Sequence, residues 1–314
     1  MRTRLTGSSG FVKFIGETLM RGRMLYIAAI VAAFSSVPIA IEAQETFKTP
    51  PVRNEAWIKP YPPVRIVGNV YYVGTYDLAV YLITTPQGHI LINTGVNDSV
   101  AAIRANVEAL GFKLADVKLL LATHGHWDHV GAMAELKRVT GAPMHIHEGD
   151  ADMLESGGGV NYRYLDGRGP IYEPVKVDRR LKDGEKIRLG DMELTVHHHP
   201  GHTKGSTSFS FTVKDAGKSY NVLLVNMGSI NPGVNVSGMP GFPEITETYA
   251  QTLTKQKQLK PDIYISSHAG QFDLHKKYKP GDPYDPARFV DPNGYQFKIQ
   301  FYEKLYLGRL KSER

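Results

Sequence analysis

The chain has no cysteine. It therefore has no disulfide, no catalytic thiol and no thiolate ligand for a metal, so any zinc site must be built from histidine and carboxylate. Blocks of one charge sign are also missing. Charged residues make up 22% of the 314, and no basic run of the kind that tracks a phosphate backbone occurs, which argues against a nucleic-acid partner. Half of the formal net charge of +6 lies in residues 1–43, where Arg2, Arg4, Lys13, Arg21 and Arg23 face only Glu17 and Glu42. Apolar runs long enough to span a bilayer are absent beyond that segment.

The N-terminal stretch has the three parts of a signal peptide. Arg21 and Arg23 precede an apolar run from Met24 to Ile41, and Ile41-Glu42-Ala43 offers a cleavage site before Gln44. Pro38, Ser35 and Ser36 weaken the run as a membrane-spanning helix. The sequence predicts cleavage near Ala43, with Met20 or Met24 as alternative starts, and one αβ domain over 44–314. The exported product would be periplasmic, monomeric and without a stable membrane partner.

Residues 44–62 read as an extended arm carrying Trp57 and Tyr61. Strand patterns follow at Val64–Val67, Val70–Val73, Ala79–Thr84 and His89–Ile92, the last two joined across Pro86-Gln87-Gly88. Asp98 is placed to cap a helix through Ile103 and Val107 that stops at Gly111. Val117 to Ala122 is an unbroken apolar run, which suits a strand buried on both faces. A helix is expected over about Val130–Thr140. Strands are expected near Met144–Ile146, Lys186–Leu189, Glu193–His197, Ser208–Val213, Val222–Val225 and Ile263–Ser266. Further helices are expected near Glu244–Gln258 and Tyr295–Leu307, and a Gly-rich loop over Ser156–Pro174. Two halves of strands followed by helices predict one layered domain, sheets inside and helices outside.

The chemistry sits in Thr123-His124-Gly125-His126-Trp127-Asp128-His129-Val130-Gly131. Four potential ligands fall within six residues directly after a buried strand. Burying three imidazoles and a carboxylate without partners would cost several kcal/mol, and a cation removes that cost. Because Gly125 separates them, His124 and His126 can project to one side of an extended loop. Asp128 and His129 can then turn toward a neighbouring point.

This string resembles the signature of the metallo-β-lactamase superfamily, and the similarity runs from about Trp57 to Lys277. The resemblance implies a four-layer αβ/βα sandwich with two Zn2+ at one edge. It implies that His202, in Pro200-Gly201-His202-Thr203, completes a first site with His124 and His126. It implies that His268, after Ser266-Ser267, completes a second with Asp128 and His129. Three protein ligands on each ion would leave a position open for water. His145, His147, His197, His198, His199 and His275 are read as non-ligands, and His89 as structural.

Within the superfamily the features point to class B, subclass 3. Other hydrolase branches carry a bridging aspartate after the strand that here is Val222–Val225, yet Asn226-Met227-Gly228-Ser229 follows. Absence of cysteine excludes one lactamase subclass, and His124 excludes the mono-zinc subclass with asparagine there. Segments such as Val70-Tyr71-Tyr72-Val73-Gly74, Leu82 to Ile92, Pro174 to Asp178 and Leu181-Lys182-Asp183-Gly184 resemble subclass 3. The implied activity is hydrolysis of the β-lactam amide by a hydroxide of pKa about 7 held between the ions, oriented by Asp128, with antibiotic resistance as the outcome. Two departures stand out. Asn93 occupies a position where the superfamily often has aspartate, and the serines that hold a substrate carboxylate are not clearly matched. Ser206, Ser229, Asn231 and Trp57 are the candidates for substrate binding. The alternatives are an exported zinc hydrolase of the same fold acting on an ester or lactone, and a zinc-binding protein without catalysis, whose mark would be a missing ligand. None is missing.

Overall fold

In the computed structural model, residues 47–163 and 170–314 are described; the expected signal segment lies outside them. Among the described residues, twelve strands form two sheets. The first sheet contains β1 (Val64–Val67), β2 (Val70–Tyr72), β3 (Tyr81–Thr85), β4 (Gly88–Ile92), β5 (Val117–Leu121), β6 (Met144–His147) and β7 (Arg179–Leu181), in that order. The second contains β8 (Lys186–Leu189), β9 (Met192–His198), β10 (Thr207–Asp215), β11 (Lys218–Val225) and β12 (Ile263–Ser266), again in chain order.

Period-two burial explains the layering. In β4 and β5, Ile90, Ile92, Leu119 and Leu121 face the core shared with the second sheet. Leu91 and Leu120 face the opposite core, together with Ile103 and Val107 of α1 (Val100–Ala109). α2 (Trp127–Val130), α3 (Met133–Thr140) and α4 (Glu148–Glu155) supply Val130, Leu136 and Leu154 to that same outer core. On the other side, α5 (Ile245–Gln258) and α7 (Pro292–Ser312) cover the second sheet with Tyr249, Leu253, Tyr295 and Ile299. A single turn, α6 (Leu274–Lys277), follows β12. The result is the αβ/βα sandwich expected from the sequence.

The polarity of the strands decides where a site can form. β4, β5, β6 and β7 run parallel, as do β11 and β12. The loops after β4, β5, β11 and β12 therefore emerge at carboxyl ends, the usual place for ligands in such sheets.

Several boundaries differ from the sequence expectation. The helix expected over Val130–Thr140 is broken: α2 ends at Val130, and α3 begins at Met133. Gly131 N–H donates to Gly95 O, and a β-carbon at Gly131 would stand 2.8 Å from Asn97 N, so the chain turns there. Asp98 does not cap α1; it lies within a 3-10 turn, and the cap position belongs to Ser99. α4 and β7 were not expected, since one is short and opens on Glu148-Gly149-Asp150 while the other is three largely exposed residues. α7 starts three residues early because Pro292 fits its first turn and Asp291 accepts from Gly294 N at 2.8 Å.

A buried polar network joins the end of β9 to α5. Ser208 Oγ accepts from Asn226 N at 2.9 Å, which leaves its proton for His199 Nδ1 at 2.7 Å. Gln256 Nε2 lies 3.3 Å from the same nitrogen and donates to Asn226 O at 2.8 Å. Two donors facing Nδ1 require a neutral ring. Burial accordingly pushes the His199 pKa down to about 3. A folded pKa below the unfolded one means that acid favours the unfolded chain. Stability should fall as pH drops from about 6.5 toward 3, by about 1.4 kcal/mol per pH unit for this group. Chemical denaturation at about pH 7 and pH 5 should show a smaller loss for His199→Gln than for the wild type; equal losses would exclude His199 as a source.

Candidate metal centre

Each ligand candidate reaches the sheet edge by a separate short route. His124, His126, Asp128 and His129 follow β5, with His126 at the start of α2. His202 stands on the turn after β9, and His268 follows β12. All six converge. His126 Nδ1 and His202 Nε2 are 3.0 Å apart. Asp128 Oδ2 lies 3.2 Å from His129 Nε2 and 3.5 Å from His268 Nε2. Two ligand-sized groups result, His124 with His126 and His202, and His124 with Asp128 and His129, each with its ligand atoms within 4.8 Å of one another. His268 borders the second group through Asp128, its ring 4.9 Å from that of His129.

The hydrogen bonding of the outer nitrogens tests whether a cation fits. His202 Nδ1 lies 2.8 Å from Ser229 O, which makes it the donor and leaves the Nε2 lone pair facing inward. His268 Nδ1 does the same toward Asp77 Oδ2 at 2.9 Å. His124 Nδ1 is 3.2 Å from Thr123 Oγ1, while Nε2 is buried with no partner. His126 Nε2 and His129 Nδ1 are likewise buried and unpartnered. His126 Nδ1 facing His202 Nε2 across 3.0 Å, with the unpartnered His124 Nε2 of the same group, makes a cradle that a cation fits; the orphaned His126 Nε2 and His129 Nδ1 lie on the far sides of their rings. Imidazole and carboxylate without thiolate suit zinc.

Electrostatics agree. Burial and the neighbouring imidazoles push the His124 pKa well below normal, and the same causes act on His126. Burial lowers His202 to about 4. Burial opposes ionisation of Asp128, yet His129 and His268 outweigh it and hold the carboxyl well below the usual range. Burial likewise opposes a charge on His268, but Asp128 and Asp77 raise it to about 9. Neutral rings at His124, His126 and His202 beside an ionised Asp128 are protonation states that bind a cation, whereas His268, held protonated by its two carboxylates, must give up its proton to ligate.

Three supporting residues were not singled out in the sequence. Asp77 holds His268, and the Trp57 side chain bonds the same carboxylate. Asp150, fully buried on α4, accepts from Gly125 N at 2.9 Å, Gly205 N at 2.7 Å and Thr203 Oγ1 at 2.6 Å. It thereby ties the His124–His129 loop to the His202 turn. Gly205 permits the contact, since a β-carbon there would meet Asp150 N at 2.3 Å. Asn226 Nδ2 stands 3.1 Å from His124 Nδ1. Only Asn226 carried a signal, as part of the segment Asn226-Met227-Gly228-Ser229 in which no aspartate stands. Asn93 sits in the left-handed region at φ 64° and is fully buried. Its Oδ1 accepts from Thr123 N at 2.9 Å and from Thr123 Oγ1 at 3.2 Å, so the amide positions His124 through Thr123.

The cluster opens into a cleft of about 620 Å3 walled by Trp57, Asn161, Arg163, Tyr172, Ser229, Asn231 and Gln271. Trp57 packs edge-on against Trp127 at 6.1 Å and lies 6.2 Å from the His268 ring. Three of the four candidates for substrate binding thus line this cleft. Ser206 does not: it is fully buried, and its Oγ accepts from Thr203 N at 2.9 Å, shaping the turn rather than facing the opening. His89, His145, His147, His197, His198, His199 and His275 stand outside both ligand groups.

A layered sandwich with a histidine–aspartate cluster at the carboxyl ends of its strands defines a metallohydrolase-type scaffold. Residues 75–216 match the family described as the metallo-β-lactamase superfamily. A β-lactamase structure from Chitinophaga pinensis is 49% identical, with a TM-score of 0.80 over 82% of this chain and 97% of that one. A class B3 di-zinc metallo-β-lactamase from an Alaskan soil metagenome is also 49% identical, with a TM-score of 0.81 over 84% and 99%. Hydroxyacylglutathione hydrolase of Rhodopseudomonas palustris is 31% identical over 112 residues, 35% of this chain and 34% of that one. Against curated relatives the shared stretch is short, reaching 42% of the length of the first. The chain belongs to the metallo-β-lactamase superfamily, and its structural neighbours of high coverage include class B3 members.

Removing the Asp150 carboxylate strands three buried donors. Asp150→Ala should lower the unfolding free energy by about 2–4 kcal/mol in denaturant titration, and Asp150→Asn should fall between the two. An unchanged midpoint for Asp150→Ala would show that the two loops do not depend on this contact.

Proposed function

We propose that the chain is a zinc-dependent β-lactamase that opens the amide bond of β-lactam antibiotics and so confers resistance. His124, His126 and His202 hold one Zn2+, and Asp128, His129 and His268 hold the other. The observation that carries this reading is the convergence of six candidate ligands on one sheet edge, with His126 Nδ1 facing His202 Nε2 and His124 Nε2 buried without a partner. The B3 neighbours, similar over nearly their whole length, support the choice of β-lactam as substrate. Export to the periplasm, where the drug target lies, and a monomeric state complete the proposal.

Bound zinc supplies Lewis acidity to the lactam carbonyl and acidifies water. The chain's own residues do the rest. Among the described residues that wall the cleft, Asp128 is the one carboxylate. Being ionised, it accepts a proton donor and so orients attacking water. Trp57 and Trp127 give the mouth an apolar wall for the substrate body. Ser229 and Asn231, beside His202, offer polar groups to the drug's carboxylate. No protein nucleophile is needed, so inhibitors directed at an active serine should be without effect.

A second reading, hydrolysis of a thioester, ester or lactone, draws on the similarity to hydroxyacylglutathione hydrolase. Against it stands the segment after β11, Asn226-Met227-Gly228-Ser229, which holds no aspartate to bridge two ions. Rates on a carbapenem and on an acyl-lactone separate the two.

Dialysis against a chelator should abolish hydrolysis of a chromogenic cephalosporin, and added zinc should restore it. Full activity in protein shown to be zinc-free would overturn the proposal. Asp77→Ala should weaken the more loosely held zinc by roughly 10–100-fold in competition with a chromophoric chelator, because His268 loses the acceptor that fixes its ring. If both affinities are unaltered, Asp77 has no part in holding the ion.

A further inference from the structure

The C-terminal helix presents a face that the fold does not use. Tyr295, Ile299 and Tyr306 of α7 are buried against the second sheet and α5. On the opposite side Phe297, Phe301 and Leu305 recur every fourth residue and remain 66%, 46% and 46% exposed. Gly308 continues the row and floors a shallow hollow of about 530 Å3 between Phe301, Leu305 and Arg309. Large apolar side chains exposed in a continuous row are unusual on a solvated helix and mark a contact surface.

The charges beside the row decide what it contacts. The acidic residue of the helix and the one that follows it are engaged by their own chain, Glu303 with Lys257 and Glu313 with Arg309. Lys298 is paired with Asp273 at 3.2 Å. Lys304 and Lys311, on one flank of the row, have no carboxylate partner among the described residues. An apolar ridge with free ammonium groups along its edge fits an anionic bilayer surface, into which the rings insert while the lysines meet phosphate. A second copy of the same face would set these cations against one another.

We infer that α7 docks the folded enzyme onto anionic phospholipid membranes through Phe297, Phe301 and Leu305, with Lys304 and Lys311 on the headgroups. The contact is peripheral and independent of any N-terminal anchor. It would keep the cleft close to a membrane without blocking it, since no α7 residue lines that opening.

The test is vesicle co-sedimentation of the chain from Gln44 onward. That form carries both sheets and both cores, and it omits the apolar run at 24–41, which could insert by itself. The wild type should sediment with vesicles containing phosphatidylglycerol, sediment weakly with phosphatidylcholine alone, and be released by salt. Phe301→Glu combined with Leu305→Glu should weaken binding by at least roughly tenfold. Lys304→Glu with Lys311→Glu should weaken it to a similar degree, roughly tenfold. Zinc content and hydrolysis should be unchanged in every variant, which shows that the fold is intact. Equal sedimentation of wild type and variants, or none by the wild type, would overturn the inference. So would a dimer in light scattering that the Phe301→Glu and Leu305→Glu pair dissolves, because the face would then belong to a second copy.

Discussion

Crowding of polar side chains in a dry place is the constraint on which this structure rests. His124, His126 and His129 are buried with ring nitrogens left unpaired, and each orphan in a low-dielectric interior is costly. Asp128 adds a carboxylate to the same spot. Whichever tautomer bridges His126 Nδ1 and His202 Nε2, His124 Nε2 stays without a hydrogen-bond partner. A divalent cation would take up the nitrogens and the carboxylate that face inward, and the binding energy it returns would stabilise the loops that hold it.

Much of the surrounding fold is the means of keeping those lone pairs aimed inward. The parallel strands deliver the ligand loops to one edge. Outer nitrogens are then fixed individually: His202 by Ser229 O, His268 by Asp77, and His124 by Thr123 with Asn93 behind it. Asp150 acts one layer further out, binding two ligand loops through a single carboxylate. Asn93 shows that an amide suffices at its position. It needs one oxygen to accept from Thr123, and its own tolerance of positive φ lets the chain turn after β4.

The sequence made the layered fold and the cluster of candidate ligands readable for a physical reason. Continuous apolar strands, alternation between two cores, and four ligand types packed behind one strand are local signals. Ile263–Ser266 was located to the residue because its four positions are all buried. The break between α2 and α3 was not legible, since it depends on Gly131 meeting Asn97 and Gly95, about 35 residues away. Asp77 and Asp150 were invisible for the same reason. Each sits in an ordinary loop or helix start, and only the folded chain brings them to His268 and Gly125. Ser206 misled because a serine beside a ligand histidine reads alike whether it turns toward the cleft or into the turn.

Anomalous diffraction at the zinc edge, on crystals of the zinc-loaded chain, addresses the central claim directly. The account predicts two peaks, one enclosed by His124, His126 and His202 and the other by Asp128, His129 and His268. A map with no peak there, or with zinc held by other residues, would contradict it.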